Sequence, residues 1–268
     1  QDSSQYFTNT IRLSPPADEA LYQNYYAGII QALRVDVLLI SNAVKVYKCS
    51  PQLKRRFPQL KMMDLLHAED WAGTSEEWAW VAPYMDRRVC ISRRLKGHML
   101  AKYQALGMVH YADRVTTIHN GVDLTYYQRA DSLSGRFKTA FGVRGDAKVI
   151  SFIGRLSWEK NPLLFVDIAE RLLTNQPPGV LKFVMAGDGP EITRVKEKIR
   201  DYGIKDDVIL TGMLEPDGVR ELLADTHVLL VVSRTEGIPL VMAEALAMNV
   251  PVISTRVGGI EEIVNNGV

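Results

Sequence analysis

The second half of this chain alternates short apolar runs with amphipathic stretches, and that alternation restricts it to one class of fold. Apolar runs at residues 149–153, 181–186, 208–211, 228–232 and 251–254 read as strands. Residues 162–174, 191–202, 216–224, 240–248 and 260–264 carry helical patterning between and after them. A run such as 228–232 (VLLVV) is apolar at every position rather than at alternate ones, which predicts a strand covered on both faces. The expected class is therefore α/β: a parallel sheet with helices on each side, whose ligands sit beyond the C-terminal ends of the strands. The first half follows the same grammar more loosely. Strands are expected at 35–41, 61–66, 88–91 and 115–118, and helices at 74–81 and 93–106. Asn120 and Gly121 read as a turn, because a helical stretch at 133–141 follows them.

Residues 231–255, VVSRTEGIPLVMAEALAMNVPVIST, place two acids around the start of a helix that follows a buried strand. Gly237 permits a turn, Pro239 is expected at the first helical position, and 240–248 (LVMAEALAM) is rich in helix formers. The first amides of such a helix lack intrahelical partners and sit at the positive end of its dipole, so the position suits a phosphate. Glu236 precedes the helix, and Glu244 lies about a turn and a half inside it. Alone, an acid at a helix start is a partner for the dipole, and Glu236 by itself fits that description. Glu244 shares its side of the helix with Leu240, Ala243 and Ala247, where an unpaired carboxylate would be costly. It needs hydrogen-bond donors, which ribose hydroxyls would supply.

Further short motifs lie at strand ends: GRLSWEKN (154–161), AGDGP (186–190), LTG (210–212), VGG (257–259) and, earlier, HNGVD (119–123). Together with EGIPLVMAE (236–244) they resemble glycosyltransferase family 4, whose members are retaining, two-domain enzymes of the GT-B fold. The resemblance runs from about Val35 onward and is most specific over 149–267. It implies two Rossmann-like domains with parallel sheets facing a central cleft: an acceptor-side domain at 1–130, a linker at 131–147 and a nucleotide-sugar domain at 148–268. Family members open with a strand and a glycine-rich loop that nothing before Val35 supplies, and 265–268 resembles a turn before another strand. The resemblance thus implies an incomplete N-terminal domain and a missing C-terminal end, and leaves open whether the fragment itself is active.

The same resemblance implies roles. Arg155 and Lys160 would be diphosphate ligands, Glu236 would contact the transferred sugar and Glu244 would bind ribose. Gly154, Gly187, Gly189, Gly212, Ser233, Gly237, Ile238 and Leu240 would complete the donor site. Asp64 and His67, at the end of the 61–66 strand, fall on the acceptor side, with His67 also a catalytic candidate; Asp70 and Trp71 are further acceptor-side candidates. Ser92 matches a strand-end serine of the family, and Asn120 matches it in a structural capacity. The physics agrees for the cations, since a guanidinium fork and an ammonium both stabilise charge building on a leaving diphosphate. Taken singly, each is equally a solvated surface cation, and Gly187, Gly189 and Pro190 equally a ligand-free turn. The implied reaction moves a hexosyl group from a UDP- or GDP-sugar to a glycan, lipid-linked or small-molecule hydroxyl. The rival readings are a nucleotide-sugar epimerase of the same architecture and a non-catalytic, glycosyltransferase-like binding subunit.

Composition narrows the field. A chain of 268 residues with 47% hydrophobic content can bury two cores. A net charge of +1 gives no reason to expect nucleic acid as a partner. The only glycine of GRLSWEKN is Gly154, so no GxGxxG dinucleotide fingerprint is present, and no glycine-rich loop leads into a Lys-Ser or Lys-Thr pair. No His and acid spacing suits a metal, so no tightly bound cofactor and no requirement for a divalent metal are expected. Cys49 and Cys90 read as ordinary thiols, and with no apolar run long enough to span a bilayer the expected setting is cytoplasmic. Basic residues at 54–56, 87–88 and 93–96 raise the further expectation of peripheral contact with anionic membrane, against the plainer reading of solvated faces.

Overall fold

The computed structural model describes residues 16, 18, 21–41, 43–67 and 76–264. They fall into two compact units that part between His119 and Asn120.

The first unit holds a four-stranded, all-parallel sheet made of β1 (Val37–Ser41), β2 (Lys61–Leu66), β3 (Arg87–Cys90) and β4 (Val115–Thr117), in that order. Helices α1 (Tyr22–Ala32) and α2 (Val44–Arg56) pack on each other, and Leu53, Met62 and Met85 fill the core beneath them. α3 (Arg93–Ala105) leaves β3 with the Ser92 hydroxyl accepting the Leu95 amide, a side-chain cap that starts the helix cleanly. Where an α-helix is expected at 74–81, Glu76–Tyr84 is a 3₁₀ helix; Pro83 offers no N–H to an α-type ladder. Residues 74 and 75, and the candidates Asp70 and Trp71, lie outside the described residues.

The second unit carries β5 (Lys148–Ile153), β6 (Leu181–Ala186), β7 (Val208–Gly212), β8 (Thr226–Val231) and β9 (Val252–Ser254), all parallel and ordered β7-β6-β5-β8-β9. The helices between them are α5 (Pro162–Leu173), α6 (Ile192–Asp201), α7 (Pro216–Asp225) and α8 (Leu240–Ala247). Alternate residues of the central strands feed opposite faces. Phe152, Phe183 and Met185 join Phe165 and Val195 on one side, while Val149, Val184 and Ala186 join Phe137 and Leu222 on the other. The ring of Phe165 stands edge-on to Phe152 and Phe183, 5.7 Å from each centroid. These layers account for runs that are apolar at every position.

Residues 131–147, where a linker is expected, carry the five-residue helix α4 (Arg136–Ala140), which packs on α7. The Asp225 carboxylate at the end of α7 accepts the Gly135 and Lys138 amides at 2.6 and 2.9 Å and so caps α4 from a distance. At 260–264 the expected helix shortens to a 3₁₀ turn, Ile260–Glu262.

Candidate active site

Strand order in the second unit reverses at β5. The chain winds outward from β5 to β6 and β7, then returns to β8 on the other side of β5. Loops leaving β5 and β8 therefore emerge side by side, at the switch point where an open parallel sheet leaves a crevice.

Several bonds stitch those two loops together. The Arg234 amide donates to the Glu159 carbonyl at 2.7 Å, and its guanidinium donates to Asn161 Oδ1 at 2.9 Å while lying 5.2 Å from the Trp158 ring centroid. Asn161 adopts the left-handed conformation (φ 54°, ψ 50°), which turns the chain into α5 with Pro162 at its first position. Lys160 Nζ then reaches both carboxylate oxygens of Glu236 at 2.7 Å, and Ser233 Oγ donates to Oε1 at 2.6 Å. Glu236 is only 8% exposed, and this ring of charged and neutral donors is what allows an ion to stay there. From behind, Thr255 Oγ1 donates to the Ser233 carbonyl at 2.6 Å and the Gly259 amide to the Gly237 carbonyl at 2.7 Å.

Arg155 is exposed and lines a cavity of about 400 Å³ with Gly154, Gly187, Asp188, Met213 and Val219. Gly187 has φ 142°, and a Cβ there would run into the Gly154 carbonyl oxygen, so β5 and β6 end in a close approach that only glycine permits. Its amide donates to the Gly212 carbonyl at 2.8 Å, while the Gly189 carbonyl accepts the Ile192 amide at the start of α6.

The helix after β8 begins at Leu240, one residue later than expected: Pro239, with ψ 121°, is the residue before the helix. No side chain caps α8, so its first amides have no side-chain partner. Leu240 is exposed and Ile238 buried at 4%. Glu244 is 8% exposed, and burial pushes its carboxyl above the usual range. A hydrogen bond from the Tyr127 hydroxyl works the other way, and burial together with the Glu244 charge raises the Tyr127 phenol in turn. The donors Glu244 needs are thus supplied in part by the protein.

In the first unit the candidates separate. His67, half-buried, shares a 2.8 Å hydrogen bond between Nε2 and Ser41 Oγ at the ends of β2 and β1, and burial holds its imidazole below the ordinary value. Asp64, expected on the acceptor side, is 0% exposed. It stands opposite Arg88 in the β2-β3 register and accepts from its Nε and NH2 at 3.0 and 2.7 Å and from Tyr47 at 3.2 Å. With its oxygens facing the core, the carboxylate has no face for a substrate. The basic cluster is likewise divided, since Arg88 is inside the core and Lys54 bonds Asp86 at 2.6 Å. No helix among the described residues is long and apolar enough to cross a membrane.

Tyr127 and Arg234 escape a reading of the sequence. Arg234 sits two residues from Glu236, but nothing in its spacing ties it to Trp158 and Asn161; Tyr127 lies far from Glu244 along the chain, and only its nearness to HNGVD points to it.

Known proteins resemble this chain in sequence and in fold. The chain is 26% identical over 259 residues to N-acetyl-alpha-D-glucosaminyl L-malate synthase of Bacillus anthracis, covering 94% of this chain and 65% of that protein. It is 35% identical over 162 residues to D-inositol 3-phosphate glycosyltransferase of Mycobacteroides abscessus, covering 57% of this chain and 34% of that one. The chain thus spans between about a third and two thirds of the length of these relatives. Among solved structures, Anabaena Alr3699/HepE in complex with UDP and glucose superposes with a TM-score of 0.78 at 20% identity, over 93% of this chain and 68% of that one, which shows a shared GT-B fold. The profile described as "Glycosyl transferases group 1" matches residues 135–268, the stretch that holds the paired loops, the glycine approach and α8, and the chain belongs to that family.

Proposed function

We propose that this protein is a retaining hexosyltransferase that uses a nucleoside-diphosphate sugar. The observation that carries this reading is the Lys160 ammonium held on both oxygens of a buried Glu236, four residues ahead of the uncapped start of α8. In the donor complex the diphosphate takes its place beside Lys160 and Arg155, with the α8 amides as further donors. Glu236 turns its acceptor oxygens to hydroxyls of the transferred sugar, and Glu244 binds ribose. As the bond from the anomeric carbon to the β-phosphate oxygen breaks, the two cations and the helix dipole stabilise the charge on the leaving nucleoside diphosphate. The acceptor oxygen bonds to the same face of that carbon, and its proton passes to a β-phosphate oxygen. No protein nucleophile and no metal are needed.

UDP is the favoured donor nucleotide, because Anabaena Alr3699/HepE is described with UDP-glucose and with UDP. His67 is assigned to the acceptor side, and the acceptor is a glycan, lipid-linked or small-molecule hydroxyl. Contact with anionic lipid belongs to the same reading through exposed Arg55, Arg56 and Arg87; equal co-sedimentation with neutral and anionic vesicles removes it.

Calorimetric titration with UDP, GDP and ADP, before and after Lys160→Ala, tests the assignment. Lys160→Ala weakens binding of the preferred nucleotide by about tenfold or more, the size of one charge-assisted hydrogen bond. Glu236→Gln keeps UDP binding but loses transfer, read as UDP release in the presence of acceptor, with circular dichroism unchanged. Unaltered turnover in either variant removes the role given to that residue, and an inverted anomer in the product removes the retaining mechanism.

A further inference from the structure

The HNGVD motif has no part in the chemistry above, yet the segment it opens touches the donor site more than once. Asn120 Nδ2 donates to the Ile238 carbonyl oxygen at 3.1 Å, inside the bend that carries Glu236 into α8. Asp123 then folds the chain back on itself, with Oδ1 accepting the Thr125 amide at 2.8 Å, the Thr125 hydroxyl at 2.7 Å and the Tyr126 amide at 3.2 Å. That turn, closed by the Tyr127 amide on the Asp123 carbonyl at 2.8 Å, sets the directions of the next two rings. Tyr127, 5% exposed, packs in one buried cluster with Met242 and Ala245, the α8 residues on either side of Glu244, close enough for its hydroxyl to act on that carboxylate. Tyr126 packs edge-on against it at 5.0 Å, lies 4.2 Å under the Arg220 guanidinium and donates to Asp217 on α7 at 2.7 Å.

We propose that residues 120–127 form a positioning clamp for the nucleotide-sugar site, with Asn120 fixing the Glu236 bend and Tyr127 fixing the Glu244 carboxylate. This rests on the donor reading given above. The two acids belong to one helix and the bend before it, so a segment bonded at both ends of that piece constrains their spacing. A ligand that bridges both acids binds to a site already spaced for it, and the ordering cost falls on folding rather than on binding. Asn120 and Tyr127 act through the residues that carry the two acids and are positioning residues, not catalytic ones.

Asn120→Ala and Tyr127→Phe remove one donor each. Hydrogen exchange followed by mass spectrometry is expected to rise in 236–248 in Asn120→Ala, with the β5 segment 148–153 unchanged. UDP titration is expected to weaken by about tenfold in each variant, the size of one net hydrogen bond. Unchanged exchange over 236–248, or a rise spread evenly over the unit, overturns the clamp. Faster exchange with unchanged UDP affinity overturns its positioning role and leaves the donor reading intact. If the unaltered protein binds no nucleoside diphosphate, the donor reading falls and with it the clamp's ligand, whereas the exchange result still decides whether the segment holds the bend.

Discussion

Asp64 and Glu236 show how differently two buried acids are used. Glu236 keeps its ion beside a side chain that is itself 30% exposed, so solvent and ligands can reach the pair. Asp64 is locked against Arg88, 1% exposed, whose NH1 donates to Tyr103 at 3.0 Å. Both acids sit near strand ends in the sequence, and both are candidate site residues there, Glu236 for the transferred sugar and Asp64 for the acceptor side. What separates them is the register that sets Arg88 opposite Asp64, a relation between residues of neighbouring strands that no local spacing reveals. Asp64→Ala leaves the guanidinium buried without its carboxylate and is expected to cost about 3–5 kcal/mol. The double change Asp64→Leu with Arg88→Met removes both charges and is expected to cost clearly less. Urea unfolding midpoints compare the two, and equal losses would show that the pair's charges are not what matters.

At the level of elements, the strands and helices of the second unit were legible because mostly apolar strands alternate with longer stretches of helix formers, most of them amphipathic. α1 and α2 were not anticipated: α2 holds Pro51 in its interior and ends in three basic residues, which masks its inward stripe of Tyr47, Cys49 and Leu53. The loops between elements were legible as motifs but not as a joined object. VGG illustrates this. Gly258 has φ 58°, and a Cβ there would meet the Glu236 carbonyl oxygen, so the loop after β9 presses directly on the bend that carries the acid. Gly258→Ala adds backbone strain of about 1–3 kcal/mol and pushes that bend out of place. Thermal unfolding should show the first effect, and a loss of UDP affinity larger than that of any distant variant of equal stability the second. Unaltered affinity would mean that the bend adapts freely.

At the scale of the whole molecule, His67 in the first unit and His227 in the second are both held below the ordinary imidazole pKa, chiefly by burial. In the second unit His227 Nδ1 accepts the Val149 amide at 3.1 Å, a bond that protonation at that nitrogen would destroy. Burial, then the nearby Lys148, Lys138 and Arg129 charges, hold its pKa below the ordinary value. In the first unit burial does the same to His67. A folded-state pKa below the unfolded one, about 6.5, means that the unfolded chain binds more protons as the medium is acidified through that value. The histidines' contribution to stability is therefore level above about pH 6.5 and falls below it, while Glu244, whose carboxyl burial raises, contributes in the opposite direction nearer the carboxylate range. Asp86, held low by Lys54 and the Met62 amide against the effect of burial, contributes in the same direction as the histidines but only as pH falls towards the carboxylate range, so the histidines act first. Melting curves at pH 7.5, 6.5 and 5.5 should show a drop over the last interval. His227→Gln keeps an acceptor for the Val149 amide without a titrating group, and should reduce that drop; adding His67→Gln should reduce it further. A double variant whose melting temperature falls as steeply as that of the unaltered protein would assign the acid sensitivity to other groups.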